Sequence, residues 1–204
     1  MNKQKTRSKI LASAIRLFGE RGKSGVSTAD IARDAKVNKA LIFYYFKSKD
    51  ELYRTIFKDL LAGFVETILQ GMSEVEPGLP AVEVFIRNHI KLLSENQNMA
   101  TLIIRELLLP ENAESTVKNE FSEVFKMLRN DMLQALSSAR TSGQVRSIDP
   151  LQTIVSIVSL DIFYFLGKPL VRMINPSVDN EKFEAERIDH VVDLLLNGLR
   201  KREE

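Results

Sequence analysis

The 204-residue sequence predicts an all-α protein, and three observations support this fold class. Apolar residues recur at spacings of three and four along most of the chain, as on the buried face of an amphipathic helix. The alternation of apolar and polar residues that is typical of a half-buried strand is absent. Segments rich in Gly, Pro, Asn and Asp interrupt the helical pattern often enough to predict about nine helices.

Two short helices near the N-terminus are predicted from their capping residues. Ser27 takes the N-cap position of a helix over 28–35, and Asp30 completes a capping box in which Asp replaces Glu. A tight turn at "KVN" follows, and Asn38 is placed to cap a second short helix over 39–46. Two short helices joined by such a turn form a helix-turn-helix.

Longer helices are predicted on both sides of this motif. One runs from about Lys5 to Arg21, before the helix-turn-helix. Ser48 and Glu51 form an S-x-x-E capping box that begins a long helix through about Met72. Later helices are separated by breaks at 74–80, 110–115, 141–150 and 175–180.

The last two predicted helices are strongly apolar. Asp149 as N-cap and Pro150 at the first helical position begin one of them, which is expected to end near Gly167. The other runs from about Glu181 to Lys201. Their apolar faces are broad enough to pack within the chain or against a second copy.

The charge is divided unevenly along the chain. The net charge is +2, but residues 1–49 contain twelve Lys and Arg against three Asp and Glu, a net charge of +9. The rest of the chain therefore carries −7. A basic N-terminal segment of this kind indicates binding to nucleic acid or to another anionic surface.

Composition and motifs argue against several other classes of protein. No cysteine is present, so disulfides, thiolate metal sites and cysteine nucleophiles are excluded. The two histidines are far apart, and no glycine-rich phosphate loop or cluster of metal ligands accompanies them, so we expect no enzyme activity, metal or cofactor. No run of eighteen apolar residues and no export signal is visible, which favours a cytoplasmic protein that does not enter membranes.

The second short helix is predicted to have one buried and one exposed face. Ile42 and Phe46 are four residues apart and are expected in the core. Lys39, Ala40, Phe43 and Tyr44 turn away from them in the half of a recognition helix that reaches base edges. The remaining residues expected at DNA are Thr28, Asn38, Tyr45 and Lys49, whose donors suit phosphates or cap the helix.

The stretch "TADIARDAKVNKALIFYYFKSKDEL" resembles the DNA-binding head of the TetR family of bacterial transcriptional regulators. The resemblance covers about the first sixty residues, in which caps, turn, aromatic residues and Lys49 fall in register. It implies that Thr28, Tyr45 and Lys49 contact phosphates, while Lys39, Ala40 and Phe43 face bases. This sequence departs from the family pattern at Leu41, Phe43 and Tyr45. These departures leave the operator sequence open.

The resemblance also implies a domain organisation and a homodimer. A helix-turn-helix DNA-binding domain is expected over 1–48 and a ligand-binding and dimerisation domain over 49–204. In the family, the last two helices pair across the dimer. On this basis the predicted interface consists of Ile154, Val155, Val158, Ile162, Val191, Val192, Leu195 and Leu199, although interior packing would account for the same apolar pattern.

Polar residues that interrupt apolar runs are candidates for an inducer pocket. Asp161 replaces an apolar residue on the face that carries Tyr164. The full set of candidates is His89, Arg105, Glu106, Phe121, Phe125, Leu128, Asp161 and Tyr164. The alternative is that the polar members form buried hydrogen-bonded pairs, which the sequence favours for each of them.

These observations predict a dimeric transcriptional regulator of double-stranded DNA. The expected mechanism is repression at a palindromic operator, with release by a small-molecule inducer. A nucleoid-associated or partner-recruiting protein that uses the same DNA-binding head, without an inducer, is the alternative.

Overall fold

The computed structural model describes residues 3–108 and 115–201, and within these ranges the chain is built from nine α-helices. No β-strand occurs in these ranges, so the predicted all-α class is confirmed. The helices are α1 (Lys3–Arg21), α2 (Thr28–Asp34), α3 (Lys39–Phe46), α4 (Lys49–Ser73), α5 (Leu79–Glu95), α6 (Gln97–Leu108), α7 (Ser115–Thr141), α8 (Pro150–Ile174) and α9 (Asn180–Leu199).

The chain forms two compact units. The N-terminal unit comprises Met1–Ala62 and Asn96–Phe121, and the C-terminal unit comprises Gly63–Glu95 and Ser122–Glu204. The chain therefore passes between units inside α4, between α5 and α6, and inside α7. Assignment of DNA binding to 1–48 and of ligand binding to 49–204 stays a prediction.

The three predicted caps of the N-terminal unit are present. Ser27 and Asp30 form the reciprocal capping box of α2, and Asn38 Oδ1 accepts a hydrogen bond of 2.8 Å from the amide of Ala40. Ser48 Oγ accepts one of 3.0 Å from the amide of Glu51 at the start of α4. Each cap satisfies a backbone donor that the first helical turn leaves without a partner.

The core of the N-terminal unit joins α1 to its neighbours. Phe18 packs edge-on against Tyr53 of α4, with ring centroids 5.1 Å apart, and both side chains are buried. Further along α1, a Cβ atom on Gly19 would lie 2.9 Å from the carbonyl oxygen of Asn98. Glycine at this position therefore permits the close packing of α6 on α1.

In the C-terminal unit, α5 is the central helix. It packs against both α8 and α9, and it buries Phe85, Ile86 and Ile90. The N-terminus of α8 forms as predicted, because Asp149 accepts a hydrogen bond of 2.8 Å from the amide of Gln152.

The predicted end of α8 near Gly167 is wrong. The helix continues to Ile174 with Pro169 inside it, and its segments Pro150–Phe165 and Gly167–Ile174 meet at an angle of 68°. Proline removes one helical hydrogen bond and crowds the preceding turn, so it bends the helix here instead of ending it.

Within the described ranges, no single helix has the length and apolar composition needed to cross a membrane. The two segments of α8 meet those criteria when taken together as a bent pair, on length and composition alone.

The turn of the helix-turn-helix places a lysine in a left-handed conformation. Lys36 has φ of 55°, and the amides of Lys36 and Val37 donate to the carbonyls of Arg33 and Ala32. This is the Schellman pattern that ends many helices, and glycine is the usual residue at the left-handed position. The C-terminus of α7 has the same pattern with Gly143 in that place, at φ of 71°.

Replacing Lys36 with glycine is therefore expected to stabilise the protein. A lysine in the left-handed conformation costs more free energy than the extra backbone entropy that glycine loses on folding. Lys36→Gly should therefore raise the free energy of unfolding by about 0.5–1 kcal/mol. Urea denaturation followed by circular dichroism measures the change. The matched control, Lys58→Gly in the exposed part of α4, should lower it by about 1 kcal/mol. Equal losses from both substitutions would contradict the expectation.

Candidate nucleic-acid interface and candidate ligand site

Helix α3 has a buried face and an exposed face, as its sequence predicts. Ile42 and Phe46 have 0% and 1% of their surface exposed, so their predicted place in the core is confirmed. On the other side, Phe43 and Tyr44 are 45% and 64% exposed. Large aromatic side chains that remain in water on a short helix indicate a surface that binds another molecule.

The other predicted DNA-contacting residues surround this exposed face. Asn38, Lys39 and Ala40 are exposed at the N-terminus of α3, and the Lys39 ammonium lies 5.9 Å from the centroid of the Phe43 ring. Thr28 and Tyr45 are half-buried. The arrangement combines a cation, aromatic rings and amide donors, which suits phosphate and base contacts. Their individual contacts with DNA stay predictions.

Lys49 has partners within the protein. Its ammonium donates hydrogen bonds of 3.0 Å to the carbonyl oxygens of Lys23 and Val26, in the loop between α1 and α2. Lys23 in turn contacts Asp50 at 3.0 Å, which holds the pKa of that carboxyl below its usual value. In this structure, Lys49 therefore ties the start of α4 to the loop before α2, a role that sequence reasoning missed. Its phosphate contact stays a prediction.

Several cations of the N-terminal unit are neutralised by ion pairs. Arg16 binds both Glu20 and Asp34, and Arg7 binds Asp59 at 3.2 Å. Three exposed lysines near the helix-turn-helix form no ion pair with any residue that the structure describes, and these are Lys36, Lys39 and Lys47. Among the described residues, unpaired positive charge is thus present at both ends of α3, as it also is on α1 at Lys5 and Lys9.

The polar ligand candidates His89 and Asp161 form a buried pair in the C-terminal unit. The distance from His89 Nδ1 to Asp161 Oδ2 is 2.6 Å, and the His89 ring lies parallel to Phe85 and edge-on to Phe64. This is the hydrogen-bonded pair that the sequence favoured over a ligand contact. Oδ1 of Asp161 is buried with no hydrogen-bond partner in the described structure.

Burial raises the pKa of Asp161, because ionisation would place a charge in an apolar interior. The hydrogen bond from His89, its charge and the more distant charge of Arg187 act in the opposite direction. The net effect is a carboxyl that holds its proton more strongly in the folded chain than in the unfolded one.

A cavity of about 490 Å³ lies between the C-terminal half of α8 and the N-terminal half of α9. Tyr164 lines it, and its ring stacks on Phe183 with centroids 5.9 Å apart. Other lining residues are Leu160, Phe163, Val171 and Arg187. Sequence reasoning missed Phe183 and Arg187, although they lie one helical turn apart.

The pocket predicted to be lined by Phe121, Phe125, Leu128 and Tyr164 stays a prediction, although Tyr164 lines the cavity between α8 and α9. Leu128 is buried and Phe125 is 40% exposed, and neither lines the cavity. The spacing of apolar residues identifies a helix face but not the helix that packs against it. Three candidate side chains lie outside the described residues: Arg105, Glu106 and Phe121.

The residues predicted at the dimer interface differ in their burial within the single chain. Val191, Val192 and Leu199 are buried within the single chain on α9, which packs against α5, so they belong to the core. Val155 is 53% exposed, and Ile154, Val158, Ile162 and Leu195 are half-buried. The prediction omitted other exposed apolar residues of α8 and α9, among them Leu151 at 57%, Phe163 at 64% and Leu194 at 54% exposure.

Comparison with known proteins identifies the helix-turn-helix. Residues 10–56, which include α2, α3 and the start of α4, match the family model of the bacterial regulatory proteins of the tetR family. This segment of the chain is thus similar to the TetR family. The predicted resemblance is thereby confirmed, and with it the assignment to DNA-binding transcriptional regulators rather than enzymes.

Relatives extend the similarity over nearly the whole chain. The fatty acid metabolism regulator protein of Bacillus subtilis is 21% identical over 195 residues, which are 95% of each chain. The transcriptional repressor NicS of Pseudomonas putida is 23% identical, with 97% of this chain and 93% of NicS covered. The crystal structure of FadR from Bacillus subtilis in complex with stearoyl-CoA has the same fold, with a TM-score of 0.68, 20% identity and coverage of 94% and 98%.

The buried pair of His89 and Asp161 predicts that the effect of Asp161→Asn on stability depends on pH. Because the folded-state pKa of Asp161 is raised, its contribution to stability is present below the unfolded pKa and is lost as pH rises through the folded pKa. As pH rises from about 4, the unfolding free energy of the variant should therefore increase relative to that of the wild type.

Urea unfolding at several pH values measures this difference. The control is Asp193→Asn, which removes an exposed carboxylate from α9 and should show no such trend. The raised pKa of Asp161 would be contradicted if the difference in unfolding free energy between variant and wild type did not depend on pH, or if the wild type gained stability relative to the variant as pH rises.

Proposed function

We propose that this TetR-family regulator is a repressor that binds an inverted-repeat operator as a homodimer and leaves it when a small molecule binds. The observation that carries the proposal is the exposed face of α3, where Lys39, Phe43 and Tyr44 lie opposite the buried Ile42 and Phe46. Relatives named as repressors, such as NicS, support the direction of regulation. A cytoplasmic location follows, because that is where bacterial DNA lies.

In the proposed complex, the N-terminal half of α3 enters the major groove. Lys39 and Ala40 reach base edges first, and Phe43 contacts a thymine methyl group or reads groove shape. Thr28, Tyr45 and Lys49 are proposed to contact phosphates, with part of the Lys49 ammonium already bonded to the loop before α2.

Dimerisation is proposed through the N-terminal half of α8 and the C-terminal half of α9. Leu151, Val155 and Leu194 are more than half exposed, and a second copy would remove them from water. Two recognition helices on a twofold dimer explain why the operator should be an inverted repeat.

Regulation is proposed to travel along helices that the two units share. Helix α4 runs without a break from Lys49 to Ser73, and α5 is followed almost directly by α6, which packs on α1 at Gly19. A ligand that moves α5 or α4 would thus change the separation of the two DNA-binding heads. The acyl ligand of the FadR structure supports a small molecule as the signal.

The proposal is tested first by selection from a random library of double-stranded DNA. We expect recovered sequences to contain an inverted repeat, and fluorescence anisotropy should show salt-dependent binding of two subunits to it. Recovery of unrelated sequences with equal affinity would favour the nucleoid-associated alternative instead.

Lys39→Ala and Tyr45→Phe should have different effects on DNA binding. Loss of a base contact at Lys39 should cost about 1–3 kcal/mol on the selected site and reduce its preference over mutated sites. Loss of the Tyr45 hydroxyl should weaken binding to all sequences by about 1 kcal/mol. Anisotropy on matched and mutated operators measures both effects. The control is Lys182→Ala, at an exposed position of α9, which should change neither affinity nor sequence preference. Equal losses on all sequences from Lys39→Ala and Tyr45→Phe would contradict the separate roles proposed for these residues.

Val155→Glu should weaken the dimer. An unpaired carboxylate buried in an apolar interface costs about 3 kcal/mol, so the dissociation constant should rise roughly a hundredfold. Sedimentation over a range of concentrations measures it. Ser137→Glu adds the same charge to the exposed side of α7 and should leave the dimer unchanged. A Val155→Glu protein as dimeric as the wild type would move the interface elsewhere.

A further inference from the structure

The cavity between α8 and α9 is almost entirely apolar but contains one cation. Leu160, Phe163, Val171 and Phe183 supply aliphatic and aromatic walls, and Arg187 is the charged residue among its described lining. The volume of about 490 Å³ falls in the range of roughly 300–1,000 Å³ found for small-molecule sites. An apolar site with a single guanidinium suits an amphipathic ligand.

The charge of Arg187 is not neutralised nearby. Its guanidinium lies 5.3 Å from the centroid of the Tyr164 ring and forms no ion pair among the described residues. Glu184, three residues before Arg187 on α9, binds Lys168 of α8 at 2.6 Å. Burial raises the pKa of Tyr164 to about 12, so the phenol stays neutral. Arg187 is therefore free to bind an anion.

We propose that this cavity binds an amphipathic effector, with its aliphatic chain between α8 and α9 and its anionic head group on Arg187. The inference rests on the proposed function, since it names the class of the releasing ligand and its site. Arginine binds carboxylate and phosphate oxygens through paired N–H donors, so either group satisfies it. The bend at Pro169 shapes this site, because Val171 lies beyond it and Leu160 before it.

The cavity occupies a different part of α8 and α9 from the proposed dimer surface. Dimer residues Leu151 and Val155 lie in the first turns of α8, and Leu194 lies near the end of α9. The charged Arg187 favours a small anion over an apolar face of a second copy, because covering a guanidinium without a partner is costly.

Isothermal titration calorimetry with dodecanoate, 1-dodecanol and dodecanoyl-CoA tests the proposal on the full-length protein. We expect dodecanoate or dodecanoyl-CoA to bind at least tenfold more tightly than the uncharged alcohol. Tighter binding of the free acid identifies a carboxylate as the head group, and tighter binding of the thioester identifies phosphates. Both results support an anionic head group.

Two variants separate the head-group site from the cavity. Arg187→Gln should remove the preference for the anion while the alcohol still binds, whereas Leu160→Trp should fill the cavity and weaken all three ligands at least tenfold. Arg172→Gln, an exposed arginine of α8 outside the lining, is the matched control and should behave as the wild type. Thermal unfolding of each variant confirms that it is folded.

The proposal is overturned if Arg187→Gln keeps the preference for the anion, or if none of the three ligands binds the wild type. Loss of dimerisation on Leu160→Trp would show that a second copy occupies the cavity, which also overturns it. Failure of the proposed function is distinguishable, because it would appear as absence of operator binding in the anisotropy experiment without any ligand.

Discussion

The proposed DNA-binding surface depends on how an eight-residue helix is held in place. A helix as short as α3 is unstable on its own, since the cost of starting a helix is spread over few hydrogen bonds. Asn38 caps its first turn, while Ile42 and Phe46 anchor one face in the core of the N-terminal unit. With that face fixed, the opposite face can remain rigid in water although it carries Phe43 and Tyr44. The same packing that stabilises α3 thus orients the residues that are to meet DNA.

The structure shows which basic side chains of the N-terminal segment have partners, which its net charge does not. Arg16 is engaged by two carboxylates, and Lys49 is bonded to backbone carbonyls, so neither is a free cation at the surface. Lys36 and Lys47 both have positive φ, one before α3 and one after it. This backbone geometry places exposed charges at both ends of the recognition helix, where they can interact with phosphates on either side of a groove. A count of basic residues would not have distinguished paired from unpaired charges.

Local signals in the sequence predicted where helices begin. They did not predict which elements pack against each helix. The capping residues Ser27, Asn38 and Asp149 correctly predicted where α2, α3 and α8 begin, because a cap involves only neighbouring residues. Val191 and Val192 were expected at a dimer surface yet lie in the core, since an apolar pattern shows that a face is buried but not what covers it. The sequence did not predict the cavity beside Tyr164, which forms where α8 bends, because the effect of a proline inside a helix depends on tertiary packing.

Helix α8 combines three features through which the proposed ligand site would be coupled to the rest of the C-terminal unit. Its Asp161 pairs with His89 of α5 in the core, while its C-terminal half lines the cavity and its first turns form the exposed apolar surface. Asp161 and the cavity residue Leu160 are adjacent, so a ligand that shifts this turn of α8 strains a buried hydrogen bond of 2.6 Å. Breaking such a bond in an apolar interior is costly, and the stacked Phe85 leaves the His89 ring little room to follow independently. Movement of this turn is therefore transmitted to α5 as a unit. In the proposed mechanism, a ligand can release DNA only to the extent that it binds the shifted arrangement more tightly than the original one.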